Sequence, residues 1–169
     1  MTAATPEFSR LIAVDRVPRG GSHEKIAADP KECQALALRL AVPALHALSA
    51  ELRATPWRGG LKLEGTLHAD LEQVSVVSLE TFRDEVEFPV LRYFMPAAAI
   101  TADSEAAIDP IEDGQVDLGE VVTETLILEL DPYPRRPGEA FDESVWAASP
   151  SEAEPSPFAG LARLKPKSD

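Results

Sequence analysis

Between Leu61 and Leu71 every second residue is apolar or small: Leu61, Leu63, Gly65, Leu67, Ala69 and Leu71. The positions between them are Lys62, Glu64, Thr66, His68 and Asp70. A period of two over eleven residues does not suit a helix, whose apolar positions recur every three or four residues. It describes a strand with one face against a core and the other in water. A single strand cannot satisfy its own backbone groups, so partners must exist on either side. Trp57-Arg58-Gly59-Gly60 is a turn leading into this strand. Residues 45–54, where Leu48, Ala50, Leu52 and Ala54 alternate with Ser49, Glu51 and Arg53, also admit a helix through Leu45, Leu48 and Leu52. Behind such a turn they read better as the hairpin partner. Val74–Leu79 is β-rich, and Val86, Phe88 and Val90 alternate with charges, so two more strands are expected. Pro89 places the second of these near an edge or a strand end, since proline lacks the N–H a ladder needs. Phe8–Val14 is a candidate opening strand, and Arg19-Gly20-Gly21-Ser22 a turn.

Helix signals are fewer. Asp29, Pro30 and Glu32 occupy N-cap, N1 and N3 positions, and Cys33, Leu36, Ala37 and Leu40 follow on one face. A helix from Pro30 to Ala41, ended by Pro43, is the expectation. Asp117-Leu118-Gly119-Glu120 repeats the start signal, with Leu118, Val121, Val122, Thr125 and Leu126 as its buried stripe. Residues 102–117 are acidic and turn-rich and read as a loop. From Pro132 onward lie seven of the fifteen prolines, an extended or disordered stretch. The fold class is therefore α+β: an antiparallel sheet of about four to six strands packed by two helices. The expected division is a single domain over 1–138 and a flexible tail over 139–169, with a short apolar motif at 157–165. At 169 residues the chain is one domain long.

Charge is unevenly distributed along the chain, whose formal net charge is −13. Residues 1–65 carry 9 basic and 7 acidic side chains, residues 66–133 carry 2 and 16, and residues 134–169 carry 5 and 6. This describes either two solvated faces or two poles that meet different partners. The opening residues Met1 to Arg10 lack the apolar run of a signal peptide, and no stretch approaches the ~18 apolar residues of a membrane span. One cysteine, Cys33, cannot close a disulfide within the chain. These features lead us to expect a cytoplasmic protein.

Enzyme signatures are missing: no G-x-S-x-G, no G-x-x-x-x-G-K-[ST], no H-E-x-x-H and no C-x-x-C. His23, His46 and His68 have no zinc-ligand spacing, and no cofactor or metal is expected. Cys33 reads as a small buried hydrophobe. The basic N-terminal residues Arg10, Arg16, Arg19 and Arg58 are candidates for RNA contact, although no aromatic stacking ladder accompanies them.

Gln73-Val-Ser-Val-Val-Ser-Leu-Glu80, Asp117-Leu-Gly-Glu120, Glu129-Leu-Asp-Pro-Tyr-Pro-Arg-Arg-Pro-Gly138 and Pro157-Phe-Ala-Gly-Leu-Ala-Arg-Leu-Lys165, in this order and spacing, resemble the YceD family, the large ribosomal RNA subunit accumulation proteins. Pro6–Arg10 and Ala35–Leu40 fit the same pattern. The resemblance implies a non-enzymatic role in ribosomal RNA accumulation and ribosome assembly. It has no catalytic residues to transfer. Many relatives carry Cys where this chain has Ser75, so no thiol or metal role carries over at that position. The expected partner is a basic ribosomal protein, ribonucleoprotein or large-subunit assembly intermediate, held by the acidic middle of the chain. A direct RNA-binding module is the alternative, and a small enzyme the third reading. Within the motifs, Tyr133 stands between two prolines beside Arg135 and Arg136, a stiff aromatic-plus-arginine segment suited to partner binding. Phe158, Leu161 and Leu164 form the short apolar face of the tail motif and are further partner-binding candidates.

Overall fold

A computed structural model describes residues 6–100 and 107–140. In chain order the described residues form β1 (Leu11–Ala13), β2 (Ser22–Ala27), α1 (Pro30–Leu40), β3 (Ala44–Trp57), β4 (Gly60–Val74), β5 (Thr81–Pro96), β6 (Ile108–Ile111), β7 (Gln115–Asp117) and α2 (Leu118–Glu129). The class is α+β, as expected. The chain divides into units Met1–Arg136 and Pro137–Asp169, and all nine elements belong to the first.

The 61–71 alternation lies at the centre of β4, which pairs antiparallel with β3 and β5. Leu61, Leu63, Leu67 and Leu71 are fully buried on its inner face. Leu48, Leu52 and Ala54 of β3 and Val90 and Phe94 of β5 extend that face. Arg58 and Gly59 form the two-residue β3–β4 turn with φ of 46° and 81°. Positive φ at both positions is the primed turn whose twist matches a hairpin. Gly65 interrupts the leucines because a Cβ there would lie 2.9 Å from the Leu52 Cα, closer still to the Glu51 carbonyl oxygen. The β2–β3–β4–β5–β6 sheet is closed on its inner side by α1, which packs on β3, and by α2, which packs on β5, β4 and β1. Its outer face carries neither helix.

Asp29 caps α1 through the N–H groups of Lys31 and Glu32, and the Glu32 carboxylate returns to the Asp29 N–H. The helix stops at Leu40 rather than Ala41, which takes the left-handed conformation at φ 54°. Asp117 caps α2, but its capping box is open. Glu120 pairs with Arg39 instead.

Several expectations are corrected. Residues 75–79 form a turn, not a strand. The Ser75 hydroxyl accepts from Val77 N–H and Ser78 N–H, its own N–H donates to the Glu80 carbonyl, and Leu79 takes φ 60°. Local hydroxyl bonding of this kind offers the backbone an alternative to a ladder and overrides β-propensity. The 102–117 stretch holds β6 and β7, joined through Asp113 and Gly114 at φ 47° and 71°. β6 runs parallel to β5, so the sheet is mixed. The opening strand shrinks to β1, which pairs with β7 outside the main sheet. Pro89 lies where β5 has β4 on one side and no strand on the other, since β6 reaches only Tyr93–Pro96.

Candidate functional site

The chain leaves α2 at Leu130 and runs through Asp131-Pro132-Tyr133-Pro134 past the β4–β5 turn. Asp131 Oδ1 accepts from the Tyr133 N–H at 2.8 Å, a local turn that sets the direction of the segment. The Pro134 carbonyl accepts from Val76 N–H at 2.9 Å. The Arg136 guanidinium reaches Glu80 at 3.0 Å and the Thr81 carbonyl at 3.3 Å. Two segments some fifty residues apart, 73–80 and 129–136, thus become one surface. Between them and the end of α1 lies an open groove of about 380 Å³, lined by Val42, Pro43, Val74, Val76, Ile127 and Pro132 among others. Val74, Val76 and Ile127 each keep some two-fifths of their surface in water, and Tyr133 is 70% exposed. Three large apolar side chains in water along one groove, with the Tyr133 ring on the segment that borders it, are more than the scattered singles of an ordinary surface.

Arg39 braces the floor of the groove. It holds Glu120 of α2 at 2.6 Å and Glu7 at 3.1 Å, and the Glu120 hydrogen bond raises its pKa above the already high value of a free guanidinium. It is the link between the end of α1 and the start of α2. Arg135 is exposed and forms no ion pair among the described residues, whereas Arg136 is bound to the β4–β5 turn. Phe158, Leu161 and Leu164 lie outside the described residues.

The basic candidates separate. Arg10 holds Glu32 at 2.8 and 2.9 Å, donates to the carbonyls of Ser9 and Ala27, and covers the Phe8 ring at 4.7 Å. Its guanidinium is spent on joining the N-terminal segment to α1. Arg16, Arg19 and Arg58 are exposed and gather at the β3–β4 turn end of the sheet. Arg16 borders a cleft with Pro56, Gly59 and Gly60, and Gly20, next to Arg19, accepts from Arg53 at 3.4 Å. None of these three forms an ion pair among the described residues.

The same end holds a contact that the sequence reading did not find. Trp57 and Tyr93 meet with ring centroids 4.7 Å apart and planes at 51°, and Arg58 stands over the indole at 4.9 Å. They belong to β3 and β5, on either side of β4. The β4 residue opposite Trp57 is Gly60, where a Cβ would lie 2.9 Å from the Phe94 carbonyl carbon. With no side chain at 60, the two rings reach across the middle strand. The signal in the sequence was the doubled glycine after Trp57, legible as a turn but not as a gap between rings.

Cys33 is buried on α1, and that burial pushes its thiol pKa up, away from reactivity. His46 faces Glu72 at 3.1 Å and His68 faces Glu87 at 3.3 Å. Among the described residues no group of three or more His, Cys, Asp or Glu could hold a metal ion, and no helix is long and apolar enough to cross a membrane.

No curated protein and no solved structure matches the chain. One family does, described as Large ribosomal RNA subunit accumulation protein YceD, over residues 63–165. That range holds all four motif segments from Gln73 to Lys165, and it leaves out Pro6–Arg10 and Ala35–Leu40. YceD is not a known enzyme family. The match spans more than half of the sequence, and so the chain belongs to the YceD family, whose role is the accumulation of large-subunit ribosomal RNA.

Proposed function

We propose that the chain is a non-enzymatic, cytoplasmic assembly factor that docks a basic protein of the large ribosomal subunit in the groove between α1, α2 and the β4–β5 turn. The observation that carries this reading is the joining of segments 73–80 and 129–136 into one exposed apolar surface. Its rim is acidic: Glu72, Glu80, Asp84, Glu129 and Asp131 lie on the elements that frame it. Arg39 and Arg136 are held by carboxylates, and an apolar centre with a mainly acidic rim suits a partner segment carrying apolar anchors flanked by Lys or Arg. Tyr133, held by two prolines, supplies a ring at low entropic cost. Holding a basic protein until it is delivered would protect nascent ribosomal RNA indirectly.

The test is affinity capture on the full chain from cells, with and without ribonuclease. A ribonuclease-resistant basic large-subunit protein is expected, and Val76→Asp or Tyr133→Ala should reduce its capture while leaving the melting temperature unchanged. Capture that disappears with ribonuclease, or that both variants leave intact, would refute the reading.

A further inference from the structure

The outer face of the sheet is not uniform. At the end of the long strands near Val74 and Thr81 it carries Asp70, Glu72 and Glu85 with Arg83, whose guanidinium is bound to Asp70. At the opposite end it carries the Trp57–Tyr93 pair, exposed Leu91, and a cluster of cations. Arg53 and Arg58 are exposed there, and Arg16 and Arg19 are exposed on the β1–β2 connection at the same end; none forms an ion pair among the described residues. The nearby Lys62 is bound to Glu64 at 2.5 Å. Asp15 and Asp113 line the adjoining cleft of about 780 Å³ and offset part of this charge. Four guanidinium groups that form no ion pair among the described residues thus gather at this end, with Glu24 sharing a second cleft with Arg16 and Glu64 opposite Arg53, on a chain of net charge −13.

We propose that this end of the sheet binds single-stranded RNA, with nucleobases stacking on Trp57 and Tyr93 and phosphates held by Arg53, Arg58, Arg16 and Arg19. The site is distinct from the groove and needs no residue of it. Both rings are half-buried, held by the sheet with part of each surface open to water, and a ring so fixed loses little entropy when a base covers it. Arg58 already lies over the indole, so its planar group can continue the stack or turn outward to a phosphate. The type I′ turn keeps Arg58 beside Trp57, because Arg58 and Gly59 are locked by their positive φ values. A duplex fits poorly: its bases are already stacked on one another, and a flat sheet offers no element to enter a groove. The chemistry therefore selects unpaired segments, as a nascent ribosomal RNA presents before it folds.

The test uses the full chain with Trp146→Phe, which leaves Trp57 as its one tryptophan, and a 12-nucleotide unstructured RNA of alternating C and A. Saturable quenching of Trp57 emission is expected. Affinity should fall at least about five-fold in Trp57→Ala and in Tyr93→Ala, the loss of one stacked base, and stay within about two-fold in Tyr93→Phe. The log–log salt slope should be no steeper than about −3 for four phosphate contacts, and Arg58→Ala should flatten it by about 0.7. Val76→Asp should leave RNA affinity unchanged, which separates this site from the groove. The proposal is overturned by absence of quenching, a measurement that does not depend on any alanine variant folding. It is equally overturned if folded Trp57→Ala and Tyr93→Ala bind as tightly as the parent, or if a duplex of the same sequence binds as well as the single strand.

Discussion

Helix propensity alone says that Gly119→Ala should stabilise this protein, and packing says the opposite. Gly119 is the second residue of α2 and has an ordinary helical backbone. In an exposed helix interior alanine is preferred over glycine by about 0.8–1 kcal/mol. Here, however, a Cβ would lie 2.8 Å from the Phe8 carbonyl carbon and 3.1 Å from the Ser9 nitrogen, and closer still to the Phe8 oxygen. Ordinary carbon contacts begin near 3.5 Å, so the two backbones must part by roughly 0.7 Å. Neither is free to move. Leu118 N–H donates to the Arg10 carbonyl at 2.9 Å, Arg10 N–H to Asp117 at 2.8 Å, and the Ser9 hydroxyl to Asp117 at 2.5 Å. Overpacking costs about 1–3 kcal/mol, and stretching bonds of this kind adds about 0.5–1.5 kcal/mol for each one lost. Against a gain below about 1 kcal/mol, the net is a destabilisation of about 2 kcal/mol. For a domain of this size that is a fall of roughly 6–10 °C in melting temperature. Thermal melts and urea titrations of Gly119→Ala measure it. Gly20→Ala serves as control, since a Cβ at Gly20 meets nothing within 4 Å. A melting temperature for Gly119→Ala at or above the parent value would refute the packing argument.

The two caps are unequal. Asp29→Ala should cost about 0.5–2 kcal/mol through its two N–H acceptances, whereas Asp117→Ala should cost more. Asp117 also receives Arg10 N–H and the Ser9 hydroxyl, so it ties the N-terminal segment to α2. Equal urea midpoints for the two variants would contradict this. Glu32 is held below the usual glutamate range, chiefly by the Arg10 hydrogen bond, and Asp29 below the aspartate range, chiefly by the Glu32 N–H. A carboxylate with a depressed folded-state pKa stabilises above its unfolded pKa and loses that stabilisation as pH falls through the folded value. Stability should therefore drop below about pH 4.5, with a shallower slope in Glu32→Gln. An unchanged slope in that variant, read from urea midpoints between pH 5 and 3, would count against the Arg10–Glu32 pair. Deleting residues 157–169 should leave the melting temperature of the remainder within a few degrees and reduce ribosomal RNA accumulation. Full complementation by the truncated chain would rule out a working role for the tail motif.

What could be read from the sequence was what local chemistry decides. Asp29-Pro30-Lys31-Glu32 announces a helix start because every group in the box is within four residues. The β4 alternation announces a strand because a period of two needs no partner to be visible, and Arg58-Gly59 announces a hairpin because the turn carries its own φ requirement. The β6 and β7 segments went unseen because four and three residues have no periodicity. Their pairing with β5 and β1 is decided by tertiary contact. Val74–Leu79 misled because three valines say nothing of the Ser75 hydroxyl, whose bonds to Val77 and Ser78 close the turn. At the site the limit is similar. Tyr133 and Arg136 could be singled out by composition, but the Arg136 bond to Glu80 could not. Arg10 resembled a free cation until Glu32 stood beside it.

A net charge of −13 opposes contact with RNA, but net charge is the wrong quantity for a sheet this long. β4 runs fifteen residues from Gly60 to Val74, so its ends lie about 50 Å apart at roughly 3.4 Å per residue. At physiological ionic strength exposed charges are screened beyond about 8 Å. A phosphate beside Arg58 therefore responds to the charges of its own end, Arg16, Asp15 and Asp113 of the adjoining cleft among them, and scarcely to Glu72 or Glu129. The antiparallel hairpins perform the separation. Arg53, Arg58, Lys62 and Tyr93 fall at one end of the strands, where Asp109 of β6 is taken up by Arg92, while the acidic residues of 70–85 fold to the other. An uneven charge distribution along the chain thereby becomes an uneven distribution along one axis of the fold. The two proposals fit this separation, with a basic protein at the groove and a polyanion at the Trp57–Tyr93 platform. A protein built this way can hold both components of one ribonucleoprotein at once without their charges meeting on its surface.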